Sequence, residues 1–171
     1  MKITLFDAKT DSIEEVTELL HRAYAGLAAR GFNYVAASQT AAVTESRLTA
    51  GSGYIARLNE QIIGTITYYT TARDADDEPN YYKEKTVAHF GQFAILPQLQ
   101  HLGFGSRLVE FAESLASKDG KKEIACDTAE GATNLINYYT SRGYRHVEYH
   151  QWHSACYRSV ILSKTLKSCE I

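Results

Sequence analysis

The stretch His89-Phe90-Gly91-Gln92-Phe93-Ala94-Ile95-Leu96-Pro97-Gln98-Leu99-Gln100-His101-Leu102-Gly103-Phe104-Gly105-Ser106-Arg107-Leu108-Val109-Glu110-Phe111-Ala112-Glu113-Ser114-Leu115 decides the fold. Phe93 to Leu96 is the apolar end of a strand, stopped by Pro97, which has no amide donor for a sheet ladder. Phe104, Leu108, Phe111, Ala112 and Leu115 recur at three- and four-residue spacing, which is one apolar stripe of a helix. Lys118, Asp119 and Gly120 close that helix with a cation in its last turn and a glycine stop. Between strand and helix lies a turn, residues 98–104, with Gln100 to Gly105 at its centre.

A strand, a glycine-bearing turn and a helix in this order make a place for an anion. The first helical turn has N–H groups with no intrahelical partner and the positive end of the helix dipole. Gly103 and Gly105 carry no Cβ, so a ligand can approach the backbone. The combination suits a phosphate or pyrophosphate. Ser106 adds a hydroxyl and Arg107 a charge. Glycines in such a turn also serve packing alone, and an isolated G-x-G is a weak signal. The stretch lacks the G-x-x-x-x-G-K-[ST] loop, and Leu108 stands where G-x-G-x-x-G needs its third glycine.

The whole chain has 171 residues, which suits one domain over residues 1–171 with a proper core. A formal charge of −2 argues against a general nucleic-acid binder. No apolar run approaches the ~20 residues that span a bilayer. The segment Met1 to Asp7 has no signal-peptide core and reads as a strand. Cys126, Cys156 and Cys169 are widely spaced and odd in number, which suits reduced thiols in a cytoplasmic protein.

Taken in order, the chain starts with a short strand (β1) around Ile3 and Leu5. Asp11 or Ser12 caps a helix (α1) whose stripe is Ile13, Val16, Leu19, Leu20 and Ala23. Ser38-Gln39-Thr40 starts a second helix (α2). Tyr54 to Leu58 (β2) and Ile62 to Tyr69 (β3) form a hairpin around Asn59-Glu60-Gln61. Asp74 to Lys85 is a polar loop broken by Pro79, long enough to be functional. Thr86 to Leu96 is β4, and the glycine-turn helix is α3. Glu123 to Asp127 is β5, Gly131 to Ser141 is α4, Arg145 to Trp152 is β6, and Tyr157 to Leu166 is β7. Antiparallel hairpins flank a β4-α3-β5 crossover, so the expected fold is α/β, a mixed central sheet of about seven strands with helices on both faces.

The segment Gln100-His101-Leu102-Gly103-Phe104-Gly105 resembles [QR]-x-x-G-x-[GA], the acyl-CoA loop of the GNAT (Gcn5-related) N-acetyltransferase superfamily. The element order β1-α1-α2-β2-β3-β4-α3-β5-α4-β6-β7 is also that family's, so the resemblance covers nearly the whole chain. Tyr139-Thr140-Ser141-Arg142-Gly143-Tyr144 is similar to the family's Y-x-x-x-G-[FY] at the end of α4. The resemblance implies acetyl-CoA as co-substrate, with the pyrophosphate on the backbone of Gln100, His101, Leu102, Gly103, Phe104, Gly105 and Ser106. It implies that the pantetheine arm pairs with β4 at Phe93, Ala94 and Ile95, where a bulge aims a backbone N–H at the acetyl carbonyl. Tyr139 is then the general acid that protonates the leaving thiolate, with Tyr138 as the alternative.

His89, eleven residues before Gln100, stands where family members that acetylate protein lysines carry a glutamate. It is the candidate general base, because imidazole titrates near neutral pH. A histidine in a strand is also an ordinary hydrogen-bonded structural residue. Gln92 is no base, but its amide can orient a substrate or a water. Many relatives have Asn seven residues before the α4 tyrosine; here Ala132 stands there, and Asn134 or Asn137 is the substitute, with Asn134 taken as the cofactor contact. Cys126 reads as a small core residue rather than a nucleophile.

No metal is expected. His146 and His150 fall on one strand face and His153 on the other, with no CxxC or HExxH beside them. Asp74, Asp76, Asp77 and Glu78 either attract a cationic amine or are simply solvated. The resemblance implies acetyl transfer to a primary amine of a small molecule or peptide by direct attack in a ternary complex. Segments around Arg30–Gln39 and Trp152–Tyr157, with Phe32, Tyr34, Trp152 and Tyr157, would shape the acceptor pocket. The alternative is an acyl-CoA-binding module that keeps the loop without turnover. A homodimer is a fold-level expectation.

Overall fold

The computed structural model describes residues 1–73 and 76–167. Its elements are β1 (Lys2–Leu5), α1 (Ile13–Ala29), α2 (Ala41–Ala50), β2 (Ser52–Leu58), β3 (Gln61–Tyr69), β4 (Val87–Ile95), α3 (Phe104–Lys118), β5 (Glu123–Ala129), α4 (Thr133–Thr140), β6 (Arg145–His150) and β7 (Ser159–Thr165). The seven strands form one mixed sheet in the order β1-β2-β3-β4-β5-β7-β6. β4 and β5 are parallel, as a helical crossover requires. The mixed α/β sheet expected from the sequence is the one observed. The chain divides into two compact units, each built from two separate segments: Met1–Tyr68 with Gly91–Ala112, and Tyr69–Phe90 with the chain from Glu113 onward.

In the first unit, the Ser12 hydroxyl caps α1 by accepting from the Glu15 amide at 3.2 Å. Val16, Leu19 and Leu20 are the helix's buried stripe. Thr40 caps α2 by accepting from the Val43 amide. The β2–β3 hairpin turns on Asn59 and Glu60, both at positive φ (49° and 66°), the geometry of a two-residue primed turn that matches strand twist. β3 is buried from Ile62 to Tyr69, as befits a strand covered on both sides. Gly64 is where β4 comes close. A Cβ there would lie 2.9 Å from the Ala94 carbonyl and 2.5 Å from Ile95 Cδ1.

In the second unit, β5 alternates. Ala125 joins Tyr82, Val87 and Ile161 in one core cluster, edged by Ala72, Tyr81, Val147 and Trp152. Cys126, one residue on, faces α4. The 74–85 loop expected from the sequence contains a short 3-10 turn, Asn80–Lys83, which buries Tyr82. Glu78 is not a solvated charge. It is buried, and it accepts from Arg73 Nε at 2.6 Å and from the Arg73 amide at 2.7 Å. Asp74 and Cys169 lie outside the described residues.

β6 corrects one expectation. His146 pairs with Leu162, but Glu148 already pairs with Ile161, so Val147 is the extra residue of a bulge. His150 pairs with Ser159. Leu162 and Ser159 are three residues apart on β7, so His146 and His150 point to opposite faces rather than one. His150 and His153 instead both approach Asp77, at 3.9 and 3.5 Å.

Candidate active site

The expected cofactor-binding backbone lies in the first unit. Within β4, Gln92 takes a left-handed φ of 45°, which kinks the strand locally. Beyond the kink, the Leu96 amide donates to the Ile63 carbonyl at 2.9 Å and keeps the strand paired. Pro97 opens a short 3-10 turn, Pro97–Leu99. Gln100 then turns back, and its Nε2 donates to the Ile95 carbonyl at 3.1 Å. His101 (φ 63°) and Gly103 (φ 86°) both take left-handed backbone conformations. The Gly103 carbonyl accepts from the Arg107 amide at 3.2 Å, so Gly103 stands where the N-cap of α3 belongs. The amides that follow, from Phe104 to Ser106, are the helix's open donors in general helical geometry.

This backbone fits a pyrophosphate. A Cβ at Gly103 would meet nothing within 4 Å, so the space beside it is open to a ligand. Gln100, His101, Leu102 and Gly103 are exposed, and Leu102 is 65% exposed despite its apolar side chain. Ala94 and Ile95 are buried, and Phe93 is half-buried. The Phe93 carbonyl accepts from the Tyr24 hydroxyl at 3.0 Å, a contact from α1 that the sequence reading missed. Its signal was present: Thr17, His21 and Tyr24 recur at four- and three-residue spacing and make a second stripe on α1.

The expected proton-transfer residues lie in the second unit, and they do not meet. His89 and Phe90 are consecutive on β4 and therefore face opposite ways. Tyr139 packs against Phe90 (ring centroids 6.1 Å apart), Tyr138 (5.1 Å) and Tyr144 (5.5 Å). The helix stop explains the spacing of its motif. Gly143 at φ 88° lets the chain fold back, and the Tyr144 amide donates to the Tyr139 carbonyl. Burial pushes the Cys126 thiol well above its ordinary range, with the Asp127 charge adding to the rise and a hydrogen bond with Tyr139 opposing it. At neutral pH the thiol is protonated.

His89 sits on the other face and is 2% exposed. Its ring stacks between Tyr82 (4.0 Å, 8°) and Tyr69 (4.8 Å, 14°). Neither ring nitrogen has a hydrogen-bond partner among the described residues. Burial lowers its pKa to about 3, helped by the charges of Arg73 and Lys121. The residue read as a base is therefore a neutral core imidazole whose conjugate acid is strong. Nearby, Asp127 accepts from Trp152 Nε1 (3.0 Å), Ser159 Oγ (3.1 Å) and the Tyr82 hydroxyl (3.2 Å). Asn134 is an exposed residue of the first turn of α4, and Ala132 is its buried N-cap with no side-chain cap bond.

Among the described residues no group of three or more His, Cys, Asp or Glu could hold a metal ion. No helix among them is long and apolar enough to cross a membrane.

A strand with a left-handed residue at Gln92, a glycine turn and a helix N-terminus follow one another here, an arrangement that can hold an anion. The model of the acetyltransferase (GNAT) family matches residues 13–144, and the chain belongs to that family. A search of curated proteins returned no match. Among solved structures, the chain is similar to a GNAT family acetyltransferase from Elizabethkingia anophelis with acetyl-CoA bound. The two are 19% identical, with 96% of this chain and 97% of that one covered and a TM-score of 0.67. It is similar to the ribosomal-protein-S18-alanine N-acetyltransferase from Escherichia coli (13% identity, 98% and 95% covered, TM-score 0.70). It is also similar to an aminoglycoside 6'-acetyltransferase type Ii (16% identity, 98% of each chain covered, TM-score 0.69). The co-substrate bound in the Elizabethkingia protein is the one the family resemblance implied.

Proposed function

We propose that this protein transfers an acetyl group from acetyl-CoA to a primary amine by direct attack in a ternary complex. The observation that carries the reading is Gly103, held at φ 86° with open space where a side chain would begin, at the head of α3. Backbone amides from His101 to Ser106 would hold the pyrophosphate, with the helix dipole behind them. The residues at the end of β4, Phe93, Ala94 and Ile95, would line up the pantetheine arm and present an amide to the acetyl oxygen. The thioester supplies an activated acyl group.

Tyr139 is the proposed donor to the leaving sulfur. Its phenol is placed by three aromatic neighbours and the Cys126 thiol. His89 is left out of the chemistry, since a neutral imidazole of pKa about 3 is a poor proton acceptor. The amine then enters as the free base or loses its proton to water. The acceptor panel should span an aminoglycoside and an alanine peptide, because two neighbours are named for such acceptors.

Thermal unfolding with and without acetyl-CoA, on wild type and Gly103→Glu, tests the reading. Ligand at a hundred times its dissociation constant should add about 2.7 kcal/mol to wild type and nothing to the variant. No shift in wild type at millimolar acetyl-CoA would sink the transferase reading. Binding without transfer to any amine would leave an acyl-CoA-binding module.

A further inference from the structure

We infer that Tyr24, Gln39 and Gln92 are positioning residues that lock the β4 kink for acyl transfer, an inference that rests on the acetyltransferase reading above. Gln92 bears a side chain at φ 45°, a conformation that persists where its surroundings over-determine it. Those surroundings are polar. Gln92 and Gln39 are 8% and 5% exposed, and Gln39 Nε2 donates to Gln92 Oε1 at 2.6 Å. The same Gln39 nitrogen donates to Thr44 Oγ1 at 2.8 Å, and Gln92 Nε2 reaches the Thr44 carbonyl at 3.4 Å. Thr17 Oγ1 lies 2.8 Å from Thr44 Oγ1, and His21 Nε2 meets the Gln39 carbonyl at 2.8 Å. One turn further along α1, Tyr24 donates to the Phe93 carbonyl.

Core packing alone does not need this network. The apolar stripe of α1 (Val16, Leu19, Leu20) already buries the helix. Thr17, His21 and Tyr24 form the second stripe, and its bonds converge on Gln39, Thr44 and the 92–93 segment of β4. Gln39 Oε1 has no hydrogen-bond partner among the described residues, so the hold on Gln92 and Thr44 runs through Gln39 Nε2, whose two buried bonds tie those residues together. The Phe93 amide belongs to the peptide plane between Gln92 and Phe93. The Gln92 side chain anchors one side of that plane, and Tyr24 anchors the next plane through the Phe93 carbonyl. The direction of the Phe93 N–H is thereby set from both sides, which is what a donor to an acetyl oxygen requires.

The experiment is calorimetric titration of wild type, Tyr24→Phe and Gln39→Met with acetyl-CoA and, separately, with CoA. CoA lacks the acetyl oxygen, so it reports the pyrophosphate loop and the pantetheine arm alone. The variants should bind CoA within about twofold of wild type and acetyl-CoA about five- to tenfold more weakly, the worth of one misaimed hydrogen bond. A purely structural role would weaken both ligands together or neither, and either result overturns the inference. Should Gln39→Met fail to fold, Tyr24→Phe, which removes one oxygen, decides alone. A wild type that binds neither ligand defeats the acetyltransferase reading itself, and this inference with it. A wild type that binds both, with unaltered variants, defeats this inference only.

Discussion

Replacing His89 with phenylalanine should make the protein more stable, most of all in acid. The imidazole lies between two tyrosine rings with both nitrogens lacking hydrogen-bond partners among the described residues. A buried, unsatisfied polar group costs about 1–3 kcal/mol, which an apolar ring of similar shape avoids. At neutral pH His89→Phe should therefore gain about 1–2 kcal/mol, a rise of roughly 2–8 °C in midpoint for a chain of this size. Protonation adds the larger effect. The folded pKa, about 3, lies below the ordinary 6.5, so the unfolded chain binds more protons across that window. Stability from this group is complete above pH 6.5 and is lost as pH falls toward 3. Between pH 7 and pH 4 the loss is about 3 kcal/mol. Phenylalanine does not titrate, so the gap between variant and wild type should widen by that amount. Urea unfolding at pH 7, 5.5 and 4 measures it. Parallel pH dependences, or a variant less stable at every pH, would refute the reasoning. Acetyl transfer should survive the substitution; a hundredfold loss in a stably folded variant would restore His89 as a base.

Tyr139→Phe should lower kcat by about 10²-fold or more while acetyl-CoA binding is kept, since it removes the proton donor and its bond to the Cys126 thiol but keeps the ring; pre-steady-state CoA release checks it. Gly64→Ala should cost about 1–3 kcal/mol by denaturant unfolding, because its methyl would press on the Ala94 carbonyl and Ile95. Burial raises the pKa of Glu123, but hydrogen bonds from Arg145, Ser163 and Tyr81 outweigh it and bring the carboxyl down to about 2. Its contribution is present above pH 4.5 and disappears as pH falls toward 2, and Glu123→Gln should flatten the stability profile in that range while costing about 1–3 kcal/mol at pH 7.

Local signals were legible in the chain. Apolar periodicity, caps at Ser12 and Thr40, and stops at Gly120 and Gly143 act over one or two turns, so each can be read from its neighbours. The loop from Gln100 to Gly105 is of the same kind, because its use depends on backbone geometry that glycine and a helix start already imply. The alternation in Arg145 to Trp152 misled, because a bulge at Val147 changes face without leaving a mark in residue type.

The residue string by itself determined the order of elements, the parallel crossover at β4-α3-β5 and the glycine turn. These follow from side-chain period and backbone freedom, which are properties of short segments. Tertiary structure decided that β7 enters between β5 and β6, and that His89 is sealed between Tyr69 and Tyr82. It also decided that Tyr24 and Gln39 reach the β4 kink, 69 and 53 residues away along the chain. Burial, pKa and hydrogen-bond partnership are fixed by which distant segments share a volume, and no window of sequence contains that information.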